Sequence, residues 1–393
     1  LVASFDKGTE TFWDVVVVGG GPAGSATAIT LARFGRRVLL VDDQGASRPK
    51  LGESLPPVCV GLVKHFLGNI EASEEGRCGV FRTAGNVSVW GTEQVQTTDF
   101  FFTQTGFGLC VDRVAFDEAL RTKAVAAGAI LHRGLRFESC SRLADTAFNW
   151  QLEFGSGVAA QHTRYLVDCS GRRAVVARAL GGSMLETNDM LFAYAQWFET
   201  SEPDDDPYTR IEAGPHGWWY TNRLPEVQGG AARRLVVFHT DKDLPQAKLA
   251  ASPDGFQQLL GNSVHIRPLL GRLGYRPSGA IRGAAAHSQR LVSFCGDAWM
   301  AVGDAAQAYD PLSSQGIDKA LRTGSHAGHL IHYALSDGQV AGSELGQDNH
   351  YIGQYVTQQQ QLWQSYVSHH DYYYQTQPRW AEQAFWQRRR PPG

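Results

Sequence analysis

From Phe12 to Gly24 the chain reads Phe-Trp-Asp-Val-Val-Val-Val-Gly-Gly-Gly-Pro-Ala-Gly, and no other stretch limits its fold as tightly. The β-branched run up to Val18 shows no polar alternation, the pattern of a strand covered on both faces of a parallel sheet. Gly19-x-Gly21-x-x-Gly24 follows at once. Next come Ser25 to Phe34, with apolar residues at helical spacing and Gly35 as a stop, and a second buried strand from Arg37 to Val41 that ends at Asp42 and Asp43. The whole is one βαβ unit. Within it Gly19 permits the tight turn, Gly21 lets a pyrophosphate reach the backbone, and Gly24 lets helix and strand close up. Pro22 and Ala23 count with them as cofactor-binding residues, because the helix they open presents free N–H groups and a positive dipole end to an anion. Asp42, rather than Asp43, is placed to accept hydrogen bonds from a ribose 2′-OH and to repel a 2′-phosphate. A glycine turn with no ligand is the bland reading, and the joint presence of strand, fingerprint, helix and acid argues against it.

Farther on, Phe116, Leu120, Ala124 and Ala127 form a helix-period stripe ending at Gly128, and Tyr165 to Asp168 is a short apolar strand closed by Cys-Ser-Gly-Arg. From about Leu191 to Thr240 the pattern changes to β-rich segments with alternating aromatics, which predicts an antiparallel sheet with one covered face. Trp299 to Val302 reads again as a buried strand, followed by Gly-Asp-Ala-Ala and a helix from about Ser314 to Ala334. The chain then turns polar and aromatic, a helical tail ending in Tyr372-Tyr373-Tyr374 and Trp380 to Trp386.

Composition closes off other classes. With 36 Lys and Arg residues scattered against 39 Asp and Glu, there is no electrostatic footprint for nucleic acid. The run Arg388 to Arg390 reads as a solvated tail. Six cysteines lie far apart without a Cys-x-x-Cys pair, so neither a zinc site nor a disulfide scaffold is expected, and a reducing cytoplasm fits. Val15 to Ala32 is uncharged and long enough to tempt a membrane reading, but its central glycines and proline favour strand, turn and helix. No basic leader precedes an apolar stretch, so a signal peptide is not expected.

The fingerprint alone does not separate NAD from FAD; Gly303-Asp304-Ala305-Ala306 and Asp310-Pro311-Leu312-Ser313-Ser314-Gln315-Gly316 do. With Gly52-Glu53-Ser54-Leu55-Pro56-Pro57, Arg113 to Leu120 and Asp168 to Arg172, these segments resemble the flavoprotein hydroxylase superfamily, which includes aromatic hydroxylases, geranylgeranyl reductases and flavin-dependent halogenases. The resemblance implies an α/β FAD-binding lobe of the glutathione-reductase type (11–85, 105–185 and 280–335). Interleaved with it would be an antiparallel β-sheet substrate lobe (86–104 and 186–279), and a helical C-terminal region (336–393) would follow. By it, Asp304 would bind the flavin ribityl or pyrophosphate and Arg113 would contact FAD. Pro311, Ser314, Gln315, Gly316 and Ile317 would meet the isoalloxazine, with N–H groups aimed at its N1/C2=O edge. Taken singly, Asp304 could be a helix cap, Arg113 a surface ion pair and the Asp168 segment a strand-end turn.

Which flavin chemistry follows depends on departures from pattern. Tryptophan halogenases would show Trp-x-Trp-x-Ile-Pro where this chain has Gly217-Trp218-Trp219-Tyr220-Thr221-Asn222-Arg223-Leu224-Pro225, and a glutamate where it has Ser313. Their catalytic lysine has no clear counterpart. Tyr309 to Ile317, Gly85 to Gly91, Gly52-Glu53-Ser54 and the Arg379 to Arg389 tail look instead like the flavoproteins that mature cysteine tryptophylquinone. That resemblance implies a monooxygenase adding oxygen to a tryptophan of a partner protein through a flavin C4a-hydroperoxide. Such chemistry wants a dry aromatic cavity, for which Trp90, Trp218, Trp219 and Tyr220 are the candidates, and a proton donor or base, for which Glu53 and His216 are. Ordinary core aromatics and loop-holding side chains are the bland alternatives. The expected reactants are FAD, O₂, electrons from NAD(P)H or reduced flavin, and a protein- or carrier-bound aromatic. Halogenation, reduction of isolated double bonds and a non-catalytic flavoprotein are the rival functions.

Overall fold

The computed structural model describes residues 11–45, 49–68, 79–144, 147–155, 157–186, 189–225, 230–338 and 350–390. Its first strand, Thr11–Val18, pairs in parallel with Val38–Asp42 on one side and Gln161–Asp168 on the other. Ile130–Arg133 and Trp299–Ala301 extend this parallel core outward. Val15, Val16 and Val17 are wholly buried, which is why the run shows no polar alternation. The helices Pro22–Arg33, Arg113–Ala126 and Gly316–Ser336 pack together over the sheet. Phe116, Leu120 and Ala124 of the second are fully buried, and each of the larger two contributes roughly 1.5–3 kcal/mol by leaving water.

A second sheet of seven strands draws on residues 85–99 and 191–285, in the order Arg276–Ala285, Leu191–Thr200, Ala232–Asp241, Gly217–Arg223, Tyr208–Gly214, Gly85–Val89 and Gln96–Asp99. It is antiparallel except where Tyr208–Gly214 runs parallel to Gly85–Val89, so the expected purely antiparallel sheet is mixed at that pair. Side chains alternate between its faces. Tyr194, Phe198, Trp219, Val236 and Phe238 pack under the helices Pro245–Ala250, Pro253–Leu260 and Ile266–Arg272. Ala193, Trp218, Leu235 and Val237 face the opposite way, toward the parallel sheet's lobe and the chain's end.

That end is the helix His350–Gln375 followed by the short helix Ala384–Gln387. Tyr374, Phe385 and Trp386 are buried against the second sheet, so the tail covers core. The reading of Arg388 to Arg390 as solvated is corrected: Arg389, 5 % exposed, meets Asp241 at 2.6 Å and Asp189 at 3.5 Å. Arg388 bridges Asp241 and Asp243, and Arg390 donates to the Gln377 carbonyl. Carboxylates buried at Asp189 and Asp241 demand a buried countercharge, and the tail supplies it. Among the described residues Cys59, Cys110, Cys140, Cys169 and Cys295 are free thiols, and no helix is long and apolar enough to cross a membrane. Cys78 lies outside the described residues.

Candidate active site

A cavity of about 1060 Å³ lies between the carboxyl ends of the parallel strands and the inward face of the second sheet. It exceeds the usual small-ligand range of roughly 300–1,000 Å³, so it can take a dinucleotide together with an aromatic ring.

On the parallel-sheet side, Gly19 has φ +115°, and a Cβ there would lie 2.2 Å from the Cys169 carbonyl oxygen. A Cβ on Gly24 would lie 1.8 Å from the Gly19 oxygen, whereas one on Gly21 would have no atom within 4 Å. Two of the three glycines are thus demanded by the protein's own packing, and the third keeps space open for something else. Gly19, Gly21, Pro22 and Ala23 line the cavity; Gly24 sits behind them, where the helix meets the strand. Asp42 also lines it: Oδ1 accepts from the Gln44 amide at 3.0 Å, and Oδ2 lies 3.4 Å from Arg121. Asp43, by contrast, is drawn outward into an ion pair with Arg173 at 2.7 Å. Asp168 is spent on structure, accepting from the Ser170, Val176 and Ala177 amides.

The distant segments arrive opposite. Asp304 faces the cavity and pairs with Lys319 at 2.9 Å. Burial works against its charge, but Lys319, with Arg172 and Arg113, more than offsets that and holds its carboxyl below the usual range. Lys319 also donates to the Gln307 carbonyl and lies 4.0 Å over the Tyr309 ring. Asp310 caps the turn Pro311–Ser313 by accepting from the Leu312 amide at 2.8 Å. Ser314 then adopts φ +51°, a strained conformation for a residue with a Cβ, costing about 1–3 kcal/mol. The turn so held delivers Gln315, Gly316 and Ile317 to the cavity as the opening of a 21-residue helix. Neither this helix nor Pro22–Arg33 has a side-chain cap on its first turn, so two helix N-termini meet one cavity, an arrangement that suits an anion. Arg113 lines the cavity as well, tied to the Leu51 carbonyl and to Asp117, which also holds Lys50 at 2.9 Å.

The second-sheet side is apolar. Trp218, Tyr220, Leu235, Val237 and His239 project from neighbouring strands, with Ala193, Ala284 and Ala286 as small residues beside them. Glu53, 2 % exposed, borders the same space. Its Oε2 accepts from the Gly52 amide, and its Oε1 is buried with no well-formed hydrogen bond among the described residues. Burial pushes its pKa up against the opposing pull of the Tyr220 hydroxyl and Arg113.

Three expected residues fall elsewhere. Trp219 faces away, packed on Phe238 and Phe256, because successive residues of a strand point to opposite faces. Trp90 sits behind the wall, edge-on to Trp218 and Trp386, with its Nε1 donating to the Tyr373 carbonyl. His216 lies in the hairpin between Tyr208–Gly214 and Gly217–Arg223 and does not line the cavity. The histidine that does is His239, which the sequence reading missed. Its ring is 3 % exposed and stacked on Trp218 at 3.6 Å and 10°, and its Nδ1 makes no well-formed hydrogen bond among the described residues. Burial pushes its pKa down to about 3, so it is a neutral imidazole at physiological pH. Alternation along Leu235, Val237 and His239 was the signal that could have found it. Tyr309, whose buried hydroxyl likewise has no hydrogen bond among the described residues, also borders the cavity.

The fold and this cavity are those of a protein similar to flavoprotein oxidoreductases. Residues 14–184 match the FAD dependent oxidoreductase family. Over 384 residues, 96 % of both chains, the protein is 28 % identical to the putative FAD-dependent oxidoreductase LodB of Marinomonas mediterranea. The myxobacterial chondrochloren halogenase CndH superposes with a TM-score of 0.81 at 22 % identity, covering 98 % of this chain and 87 % of that one. The peptidyl tryptophan dihydroxylase QhpG, essential for tryptophylquinone cofactor biogenesis, does so with 0.68 at 21 %, covering 97 % and 79 %. Over its length the chain is similar to FAD-dependent oxidoreductases, and FAD is its cofactor.

Proposed function

We propose that the protein is an FAD-dependent monooxygenase that hydroxylates an aromatic group, by preference a tryptophan of a partner protein on its way to cysteine tryptophylquinone. The observation that carries this reading is a single cavity with a dinucleotide cradle on one side and, on the other, an aromatic wall bordered by the buried Glu53 carboxyl. Full-length similarity to LodB and the fold shared with QhpG support it. In this reading 11–85, 105–185 and 280–335 form the FAD-binding domain of the glutathione-reductase type, and 86–104 and 186–279 the substrate domain.

Gly21 and Ala23, at the first helix N-terminus, would hold the pyrophosphate, Asp42 the adenosine ribose, and Asp304 and Arg113 the ribityl side. The N–H groups of Gln315 to Ile317 would meet the ring where charge collects on reduction. Bound FAD supplies oxygen activation once reduced by NAD(P)H or reduced flavin. Trp218 and Tyr220 orient the substrate ring and exclude water. Glu53, protonated more readily than an exposed carboxyl and set against the Tyr220 hydroxyl, gives or takes the proton.

Halogenation is the second reading, favoured by the closer superposition on CndH. Against it, the one lysine among the described lining residues is Lys50, whose amine is engaged by Asp117. Mass spectrometry of a co-expressed quinone-cofactor partner decides. One oxygen added per hydroxylation on its tryptophan is the expected result, and an unmodified partner sinks the preferred substrate. A halide-dependent mass gain would replace this reading with halogenation.

A further inference from the structure

The tail helix His350–Gln375 ends behind the cavity, and there Tyr374, 1 % exposed, touches both sides of the site without lining it. Its hydroxyl donates to Asp310 Oδ2 at 2.7 Å and accepts from Trp218 Nε1 at 3.1 Å. Asp310 begins the turn that delivers Gln315 to Ile317, and Trp218 is the indole on which His239 stacks. The hydrogen directions leave no choice. An indole N–H only donates and an ionised carboxylate only accepts, so the group between them must do both. Asp310 is ionised: burial opposes its charge, but His370, the Leu312 amide and Tyr374 together hold its pKa below the usual range. The Asp310 backbone is fixed from the same helix, its amide donating to the Tyr366 hydroxyl at 3.0 Å.

We infer that Tyr374 is a positioning residue whose hydroxyl sets the spacing between the Asp310 turn on the flavin side and the Trp218 wall on the substrate side. What occupies those two sides rests on the function proposed above; the bridge itself does not. Without the hydroxyl, a buried N–H and a buried carboxylate each lose a partner, and the two sides of the site are free to shift relative to one another. Small shifts of that kind weigh heavily on reactions that depend on approach geometry.

The test is Tyr374→Phe, which keeps the ring packed under Arg389 and against Trp386. The holoprotein is expected to retain FAD with an affinity within about threefold of wild type. The visible circular dichroism of its flavin should change, and the rate at which air reoxidises the dithionite-reduced protein should shift by about tenfold. Trp218→Phe removes the donor from the other side of the hydroxyl and also alters the cavity wall, so the double variant should show clearly less than the sum of the two single effects in either readout, because they share one bridge. A less stable Tyr374→Phe protein with unaltered dichroism and reoxidation would show a purely structural residue and overturn the inference, as would additive effects. Should Tyr374→Phe not fold, Trp218→Phe carries the test, and an unchanged flavin spectrum there overturns it equally. Absence of oxygen on a partner tryptophan would refute the function while leaving these readouts as they are.

Discussion

His239 offers a quantitative check on the site's dryness. An exposed histidine titrates near 6.5, whereas burial holds this one down to about 3. On acidification the unfolded chain takes up a proton that the folded chain refuses. The folded-state pKa is the lower of the two, so the stability concerned is intact above 6.5 and is lost as pH falls toward 3. Between pH 7 and pH 4 the loss is about 3 kcal/mol, at ~1.4 kcal/mol per pH unit over the interval below 6.5. Carboxylates contribute their own acid sensitivity, so the measurement is a difference. Urea unfolding of the FAD-saturated protein and of His239→Asn, which has no titrating group there, is followed at several pH values. Wild type should lose stability relative to the variant by that amount on going to pH 4. A difference that stays flat would mean that water reaches the ring and that the wall formed by Trp218 and His239 is not dry.

The fingerprint glycines separate packing from binding. Gly24→Ala should unfold or fail to express, since its Cβ would sit 1.8 Å from a backbone oxygen, while Gly21→Ala should keep the apoprotein's melting temperature and lose about tenfold or more in FAD affinity by titration. Glu53→Gln should retain FAD and match or exceed wild-type stability at pH 7, because it removes a buried carboxyl with an unmatched oxygen, yet lower oxygen transfer by about 10²–10⁴-fold; full activity would remove Glu53 from the chemistry. Arg389→Met should cost about 3 kcal/mol in urea unfolding by removing the buried guanidinium that meets Asp241 and Asp189, with Arg388 remaining on Asp241, and a change under ~1 kcal/mol would restore the solvated-tail reading.

Local features were legible and long-range ones were not. The strand, glycine turn and helix around Gly19 to Gly24 are specified by neighbours in sequence, and so were the turn at Asp310 and the helix that follows it. Asp42 could be preferred to Asp43 because strand ends have a fixed geometry; the ion pair that pulls Asp43 outward came only from the structure. Trp218 and Trp219 were grouped although period-2 alternation already separates them. His216 stood out for its neighbours in sequence, yet Pro215-His216-Gly217 is a hairpin turn, and turns sit at sheet ends. The pairing of Trp218 with His239 across two strands is a matter of register, which no single segment encodes. The tail arginines were misread for the same reason, since their partners lie about 150 residues away and a short cationic run is ordinarily solvated.

The charge distribution bears on how the substrate is presented. Cations line the cavity on its parallel-sheet side, where Lys50 and Arg113 meet Asp117, Arg172 donates to the His287 carbonyl and Arg173 holds Asp43. The wall contributed by the second sheet, from Ala193 through Trp218, Tyr220 and Val237 to a neutral His239 and Ala286, carries none among its described residues, and the acid Glu53 borders it. A free aromatic amino acid stacked on that wall would hold its carboxylate against a face without a cation, at a cost of several kcal/mol where water is excluded. An indole borne on a polypeptide brings only the ring and neutral amides. The expectation is therefore that reduced holoprotein with O₂ leaves free L-tryptophan unmodified and hydroxylates tryptophan within a partner chain. Turnover of free L-tryptophan at a rate matching that of the partner-borne residue would refute this argument, because it would require a carboxylate site that the wall does not contain.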